Sequence, residues 1–143
     1  MSTIAENIAL MTTPDPQPRV LVIDDDDNVR AVLEDFLAVR GYVAIPATNG
    51  VAGIAAVQAH WPDAVLLDMA MPGSLDGVGA LRAIKRIRPE LPVIMVTANV
   101  DEALARGTLR DGAFDYVMKP VNMLRLREIL AAALMLSGKV PPA

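Results

Sequence analysis

The chain has 143 residues and is 53% apolar, enough hydrophobic material for the core of one domain of ordinary size. No apolar run approaches the roughly 18 residues of a membrane span, no basic flank marks an export signal, and the absence of cysteine excludes disulfide and thiol chemistry and fits a cytoplasmic protein. Thirteen basic against 17 acidic residues give a net charge of −4, which argues against direct nucleic-acid binding, and a single histidine, His60, leaves too little for a zinc site or a histidine-based triad.

Residues 1–18 read as a leader. Pro14, Pro16 and Pro18 alternate and exclude a helix there, while Ile4, Ile8 and Met11 before them fall at helical spacing. From Arg19 the pattern changes to short apolar runs alternating with longer helical ones. Arg19–Asp24 (RVLVID) predicts a buried strand. Asp27–Arg40 predicts a helix with Val29, Val32, Leu33, Phe36 and Leu37 on one face, stopped by Gly41. Tyr42–Ala47 predicts a second strand, and Gly50–His60 an alanine-rich helix closed by Trp61-Pro62. Asp63–Asp68 (DAVLLD) is the third strand, Asp76–Arg88 the third helix, Pro92–Thr97 (PVIMVT) the fourth strand and Asp101–Arg110 the fourth helix. Ala113–Met118 is the fifth strand and Asn122–Leu136 a last, very apolar helix. The folded unit thus spans 19–137, with 138–143 as a tail. Five strands alternating with five helices predict an α/β fold: a doubly wound parallel sheet covered on both faces. Ligands bind such sheets outside the carboxyl ends of the strands.

Four of those ends carry polar groups suited to one task. The first strand runs into Asp24-Asp25, the third ends at Asp68, the fourth at Thr97, and the fifth leads through Met118 to Lys119-Pro120. Three carboxylates at one edge repel each other unless a cation joins them, and oxygen ligands suit Mg²⁺. A lysine and a hydroxyl supply the positive charge and donors that a transferring phosphoryl group needs, and Asp68 is the candidate nucleophile. Each residue alone has a plainer role. Asp26 and Asp27 read as the start of the first helix, Thr97 alone as a strand-end threonine, Lys119 alone as a solvated lysine.

In this order and spacing, RVLVIDDDDNVR, ATNG, DAVLLDMAMP, PVIMVTA and DGAFDYVMKP resemble the receiver family of two-component signalling, over almost everything from Arg19 to about Leu136. The resemblance implies a flavodoxin-like strand order of 2-1-3-4-5. It also implies roles: Asp24 and Asp25 as the acidic pair for Mg²⁺, Asp68 as phosphoacceptor and metal ligand, and the backbone carbonyl of Ala70 as a further ligand. Thr97 would bond the phosphoryl oxygens, Lys119 would pair with the phosphate, and Tyr116 matches an aromatic position that turns inward on activation. A cis bond at Lys119-Pro120 is expected. The implied partners are a histidine kinase or phosphotransfer protein, and a downstream protein or second copy bound through the fourth helix, fifth strand and fifth helix. The implied activity is that of a switch rather than an enzyme.

The sequence departs from the family pattern in three places. The loop after Asp68, MPGSLDG, is one residue longer than the common MPxMDG; Ala70 is apolar; and Val121 stands where phenylalanine is common. A phosphatase with an aspartyl-phosphate intermediate is the alternative, but Ala70 stands where its second aspartate belongs. A flavin carrier of similar topology would need a phosphate-cradling loop where this chain has DDDD. Side chains at Ala70 and Asn99 flank the expected path of a hydrolytic water, with Ser74 as a substitute, and they predict a slowly decaying phosphoryl form.

Elsewhere, the last helix has two readings, a deeply sunk core helix or an interaction face. Arg82, Lys85, Arg86 and Arg88 read as a solvated basic face, and His60 and Trp61 as packing and capping. Seven residues follow Leu136, which leaves no room for an output domain. The chain is a single-domain regulator or a receiver piece.

Overall fold

The computed structural model describes residues 17–71, 75–98 and 102–142. Its elements alternate strictly: β1 Arg19–Ile23, α1 Asp27–Val39, β2 Val43–Ala47, α2 Gly50–His60, β3 Ala64–Asp68, α3 Gly77–Ile87, β4 Val93–Thr97, α4 Glu102–Arg110, β5 Asp115–Met118 and α5 Met123–Leu136. All neighbouring strands run parallel, in the order β2-β1-β3-β4-β5. Residues 1–16 of the leader, with the helical spacing of Ile4, Ile8 and Met11, and Asp101 lie outside the described residues. No helix among the described residues is long and apolar enough to cross a membrane.

Several predicted elements are shorter, for one recurring reason: their expected first residues close the preceding turn. Gly41 adopts φ +89, which an L side chain rarely tolerates, and this lets Tyr42 N–H donate back to Leu37 O at 2.9 Å. Tyr42 therefore belongs to the stop of α1, and β2 starts at Val43. Ala113 likewise donates to Thr108 O, so β5 starts at Asp115. Asp63 turns the chain before β3, its N–H bonding Arg19 O and its carboxylate accepting Arg19 N–H at 2.8 Å.

Strand side chains alternate between two hydrophobic layers, as the two-residue period requires. Leu21, Ile23, Val65, Leu67 and Met95 pack with Val57 of α2 and Leu81 and Ile84 of α3. Val20, Val22, Leu66, Ile94 and Val96 pack on the other face with Leu33 and Leu37 of α1 and Leu126, Leu130 and Leu134 of α5. β3 and β4 are buried throughout. Each fully buried aliphatic side chain contributes about 1.5–3 kcal/mol. The pattern deviates at Val32, expected on the buried face of α1 but 52% exposed. It sits one residue, about 100° of rotation, from Leu33 and so falls off the buried stripe.

The basic face predicted for α3 is only partly solvated. Arg82 and Arg86 are exposed, but Arg88 is buried. Its guanidinium donates to Pro62 O at 2.7 Å, pairs with Glu90 at 3.0 Å and lies 4.0 Å over the Trp61 ring. Lys85 Nζ donates to the carbonyls of Pro89 and Leu91. Trp61 caps α2 as expected, in a left-handed conformation. The last helix is sunk in the core along one stripe only. Leu126, Ile129, Leu130, Ala133 and Leu134 are buried, while Leu124, Met135 and Leu136 remain outside. Beyond it, Lys139 pairs with Asp63 at 3.5 Å, and Pro142 lies against Gly41.

Candidate phosphoryl-transfer site

β1 and β3 are neighbours with helices crossing to opposite faces, so their carboxyl ends open at the switch point of the sheet. Asp24 follows β1 and Asp68 ends β3, both almost fully buried, and the exposed Asp25 stands beside them. One carboxylate oxygen from each of the three lies within 4.8 Å of the others. The turn is held locally. Asp24 Oδ1 accepts Asp26 N–H at 2.9 Å, and Arg30 Nη1 donates to Asp24 O at 2.8 Å. Asp26 caps α1 by accepting from Asn28 and Val29, and Asp27 pairs with Arg30, so these two aspartates have the helix-starting roles read from the sequence.

Lys119 closes the cluster. Its backbone N–H donates to Thr97 O at 2.7 Å, which ties the end of β5 to the end of β4, and the bond to Pro120 is cis, as expected. Its Nζ stands 3.2 Å from Asp24 Oδ2 and 3.3 Å from Asp68 Oδ1. Thr97 is buried at the end of β4. Ala70 N–H donates to Asp68 Oδ1 at 3.2 Å, placing Ala70 beside that carboxylate. Tyr116, half-buried on β5, lies apart from the carboxylates. It borders a cleft of about 290 Å³ with Glu102, Ala105, Arg106 and Leu109 of α4. Ser74 and Asn99 lie outside the described residues.

The electrostatics follow from burial. Desolvation pushes the Asp68 carboxyl from its ordinary 3.8 up to about 6; the Asp24 charge pushes the same way, and Lys119 and the Ala70 N–H only partly oppose them. Burial alone would lower the Lys119 ammonium, but Asp68 and Asp24 beside it outweigh that and raise it. Asp24 Oδ2 is buried with no hydrogen-bond donor aligned on it, so the nearby ammonium gives it an ion pair only. Two buried carboxylates, a third at their rim and an unsatisfied oxygen fit a hard divalent cation, and the all-oxygen donor set favours Mg²⁺ over softer metals.

Two residues here were not singled out from the sequence. Arg30 carries no signal in the sequence, because its bond to Asp24 O depends on how the turn folds. Gly77 opens α3 and donates its N–H to Met69 O at 3.1 Å. Its signal was faint, a glycine in the second position of the predicted helix Asp76–Arg88.

A family profile described as response regulator receiver domain matches residues 20–131. The regulatory protein AtoC of Escherichia coli is 39% identical over 120 residues, covering 84% of this chain and 26% of that protein. The DNA-binding transcriptional regulator NtrC of Salmonella typhimurium is 42% identical over 104 residues, covering 73% of this chain and 22% of that protein. The chain thus spans about a quarter of these relatives. Among solved structures, a response regulator receiver domain protein from Clostridium thermocellum superimposes with a TM-score of 0.80 at 30% identity, covering 85% of this chain and 97% of that one. NtrX from Brucella abortus, in complex with ADP, gives 0.81 at 32% identity, covering 85% and 28%. Sequence, strand order and profile agree, and the chain belongs to the response regulator receiver domain family.

Proposed function

We propose that this receiver is a phosphorylation-dependent switch in which Asp68 takes a phosphoryl group from a phosphohistidine of a histidine kinase or phosphotransfer protein. The observation that carries the reading is the junction of Asp24, Asp25 and Asp68 with Lys119 at the carboxyl edge of β1, β3 and β5. An Asp68 carboxylate oxygen attacks phosphorus. The new O–P bond forms as the P–N bond breaks, and the bonding pair stays on the imidazole nitrogen of the donor. Lys119 already counters the charge of Asp68 and is within reach of the oxygens that the phosphoryl group would bring. Asp24, Asp25, Asp68 and the Ala70 carbonyl would hold Mg²⁺, which when bound supplies positive charge against the phosphoryl oxygens.

Thr97, at the neighbouring strand end, would turn its hydroxyl to the phosphoryl group, and Tyr116 would respond across β4 and β5. The two states would differ on the face formed by α4, β5 and α5, where Leu109, Met118 and Leu124 are exposed, and a downstream protein or a second copy would bind there. The unit so described runs from Arg19 to Ser137, with 1–18 as its leader and 138–143 as its tail. The test is incubation with Mg²⁺ and acetyl phosphate, read by intact mass. One phosphoryl group is expected on the wild type and none on Asp68→Asn. An unchanged wild-type mass with Mg²⁺ and several donors would sink the assignment.

A further inference from the structure

We propose that Gly77 is a positioning residue for the acceptor, because the first turn of α3 rests directly on the backbone of Asp68 and Met69. The inference rests on the phosphoacceptor reading of Asp68. A Cβ at residue 77 would lie 2.3 Å from the Asp68 carbonyl oxygen, 2.5 Å from Met69 Cα and 2.7 Å from the Met69 carbonyl oxygen. All three are backbone atoms, which cannot rotate aside as a side chain can. Ordinary contact for a Cβ begins at 3.4 Å, so any residue but glycine must drive α3 and the end of β3 apart by about 1 Å.

Neither side is free to yield quietly. Met69 N–H is bonded to Val96 O at 3.0 Å, and α3 is anchored by the fully buried Leu81 and Ile84. The displacement is therefore shared by α3 and residues 68–70, the stretch that carries the acceptor carboxylate and the Ala70 carbonyl, and it strains the bond from Met69 to Val96. The contacts that aim Asp68 are already long: 3.2 Å from Ala70 N–H and 3.3 Å from Lys119 Nζ. Other tight glycines lack this coupling. A Cβ on Gly53 would meet the side chain of Ile23, and one on Gly79, in the same turn of α3, would meet Leu75 Cδ1 at 2.8 Å. Leu75 can swing away.

Gly77→Ala and Gly79→Ala are therefore compared with wild type in the full chain. Phosphorylation by acetyl phosphate is timed and Mg²⁺ affinity measured by calorimetry, both where circular dichroism shows each protein folded. The phosphorylation rate of Gly77→Ala should fall about ten- to a hundredfold, since 1 Å of misplacement can cost two orders of magnitude. Its Mg²⁺ affinity should fall with it, while Gly79→Ala stays within about threefold of wild type in both. If Gly77→Ala does not fold in buffer, the comparison is repeated in trimethylamine oxide, which favours the compact state. A folded Gly77→Ala with wild-type rate and affinity, or one that stays unfolded in both solvents, overturns the positioning role. A wild type that takes no phosphoryl group defeats the phosphoacceptor reading itself.

Discussion

Asp68→Asn should make the metal-free protein more stable at neutral pH. Asp68 is 3% exposed, and burial and the Asp24 charge raise its carboxyl from 3.8 to about 6. The folded state thus binds a proton more readily than the unfolded chain, so wild-type stability falls as pH rises through that window. Once the carboxyl is ionised in both states, the cost is about 3 kcal/mol, at 1.36 kcal/mol per pH unit. Asparagine removes this charge and keeps an oxygen for the Ala70 N–H, and the opposing attraction of Lys119 is already counted in the raised value. A gain of about 2–3 kcal/mol follows, or a Tm about 6–12 °C higher for a domain of this size. Differential scanning calorimetry in EDTA at pH 4, 5 and 7.5 would measure it. The difference between variant and wild type should be about a fifth of its full size at pH 4, about half at pH 5 and complete at pH 7.5. Saturating Mg²⁺ should close or invert the gap, because the cation binds the three wild-type carboxylates better. A variant no more stable than wild type at pH 7.5 in EDTA, or a gap independent of pH, would refute the reasoning.

Asp25→Ala should change metal-free stability by less than about 0.5 kcal/mol, since Asp25 is exposed, yet lose most of the Mg²⁺-induced rise in Tm; an undiminished rise would place the metal elsewhere. Lys119→Met strands two buried carboxylates, so urea unfolding in EDTA at pH 7.5 should show a loss of about 3–5 kcal/mol, smaller at pH 5 where Asp68 takes up a proton. Arg88→Ala removes the bond to Pro62 O and the contact with Trp61. It should cost about 2–3 kcal/mol in urea unfolding followed by the emission of Trp61, the single tryptophan. Ala70→Asn supplies a polar side chain next to the acceptor, and intact-mass decay of the phosphorylated form should be faster than in wild type; equal or slower decay would show that Ala70 does not limit placement of the water.

Much of this protein was legible before any coordinates. Strand-length apolar runs alternating with helical ones leave a doubly wound sheet as the economical arrangement. The convergence of Asp24, Asp25, Asp68, Thr97 and Lys119 then follows, because parallel strands deliver all their carboxyl ends to one edge. Local chemistry was also readable where its partners are local, as with Asp26 capping α1 or Trp61 closing α2. Tertiary structure decided whatever depends on a neighbour distant in the chain. Arg88 looks like one more basic residue of a helix face until Pro62 and Trp61, from the turn before β3 and some 26 positions away, fold over it. Val32 fits an apolar stripe in projection, but the width of α1's contact with the sheet leaves it outside. The raised carboxyl of Asp68 comes from burial and from Asp24, 44 positions away, and neither acts until β1 and β3 pair. The need for glycine at 77 arises only when α3 comes to rest on the backbone of the strand end, a clash between atoms that sequence spacing does not bring into view.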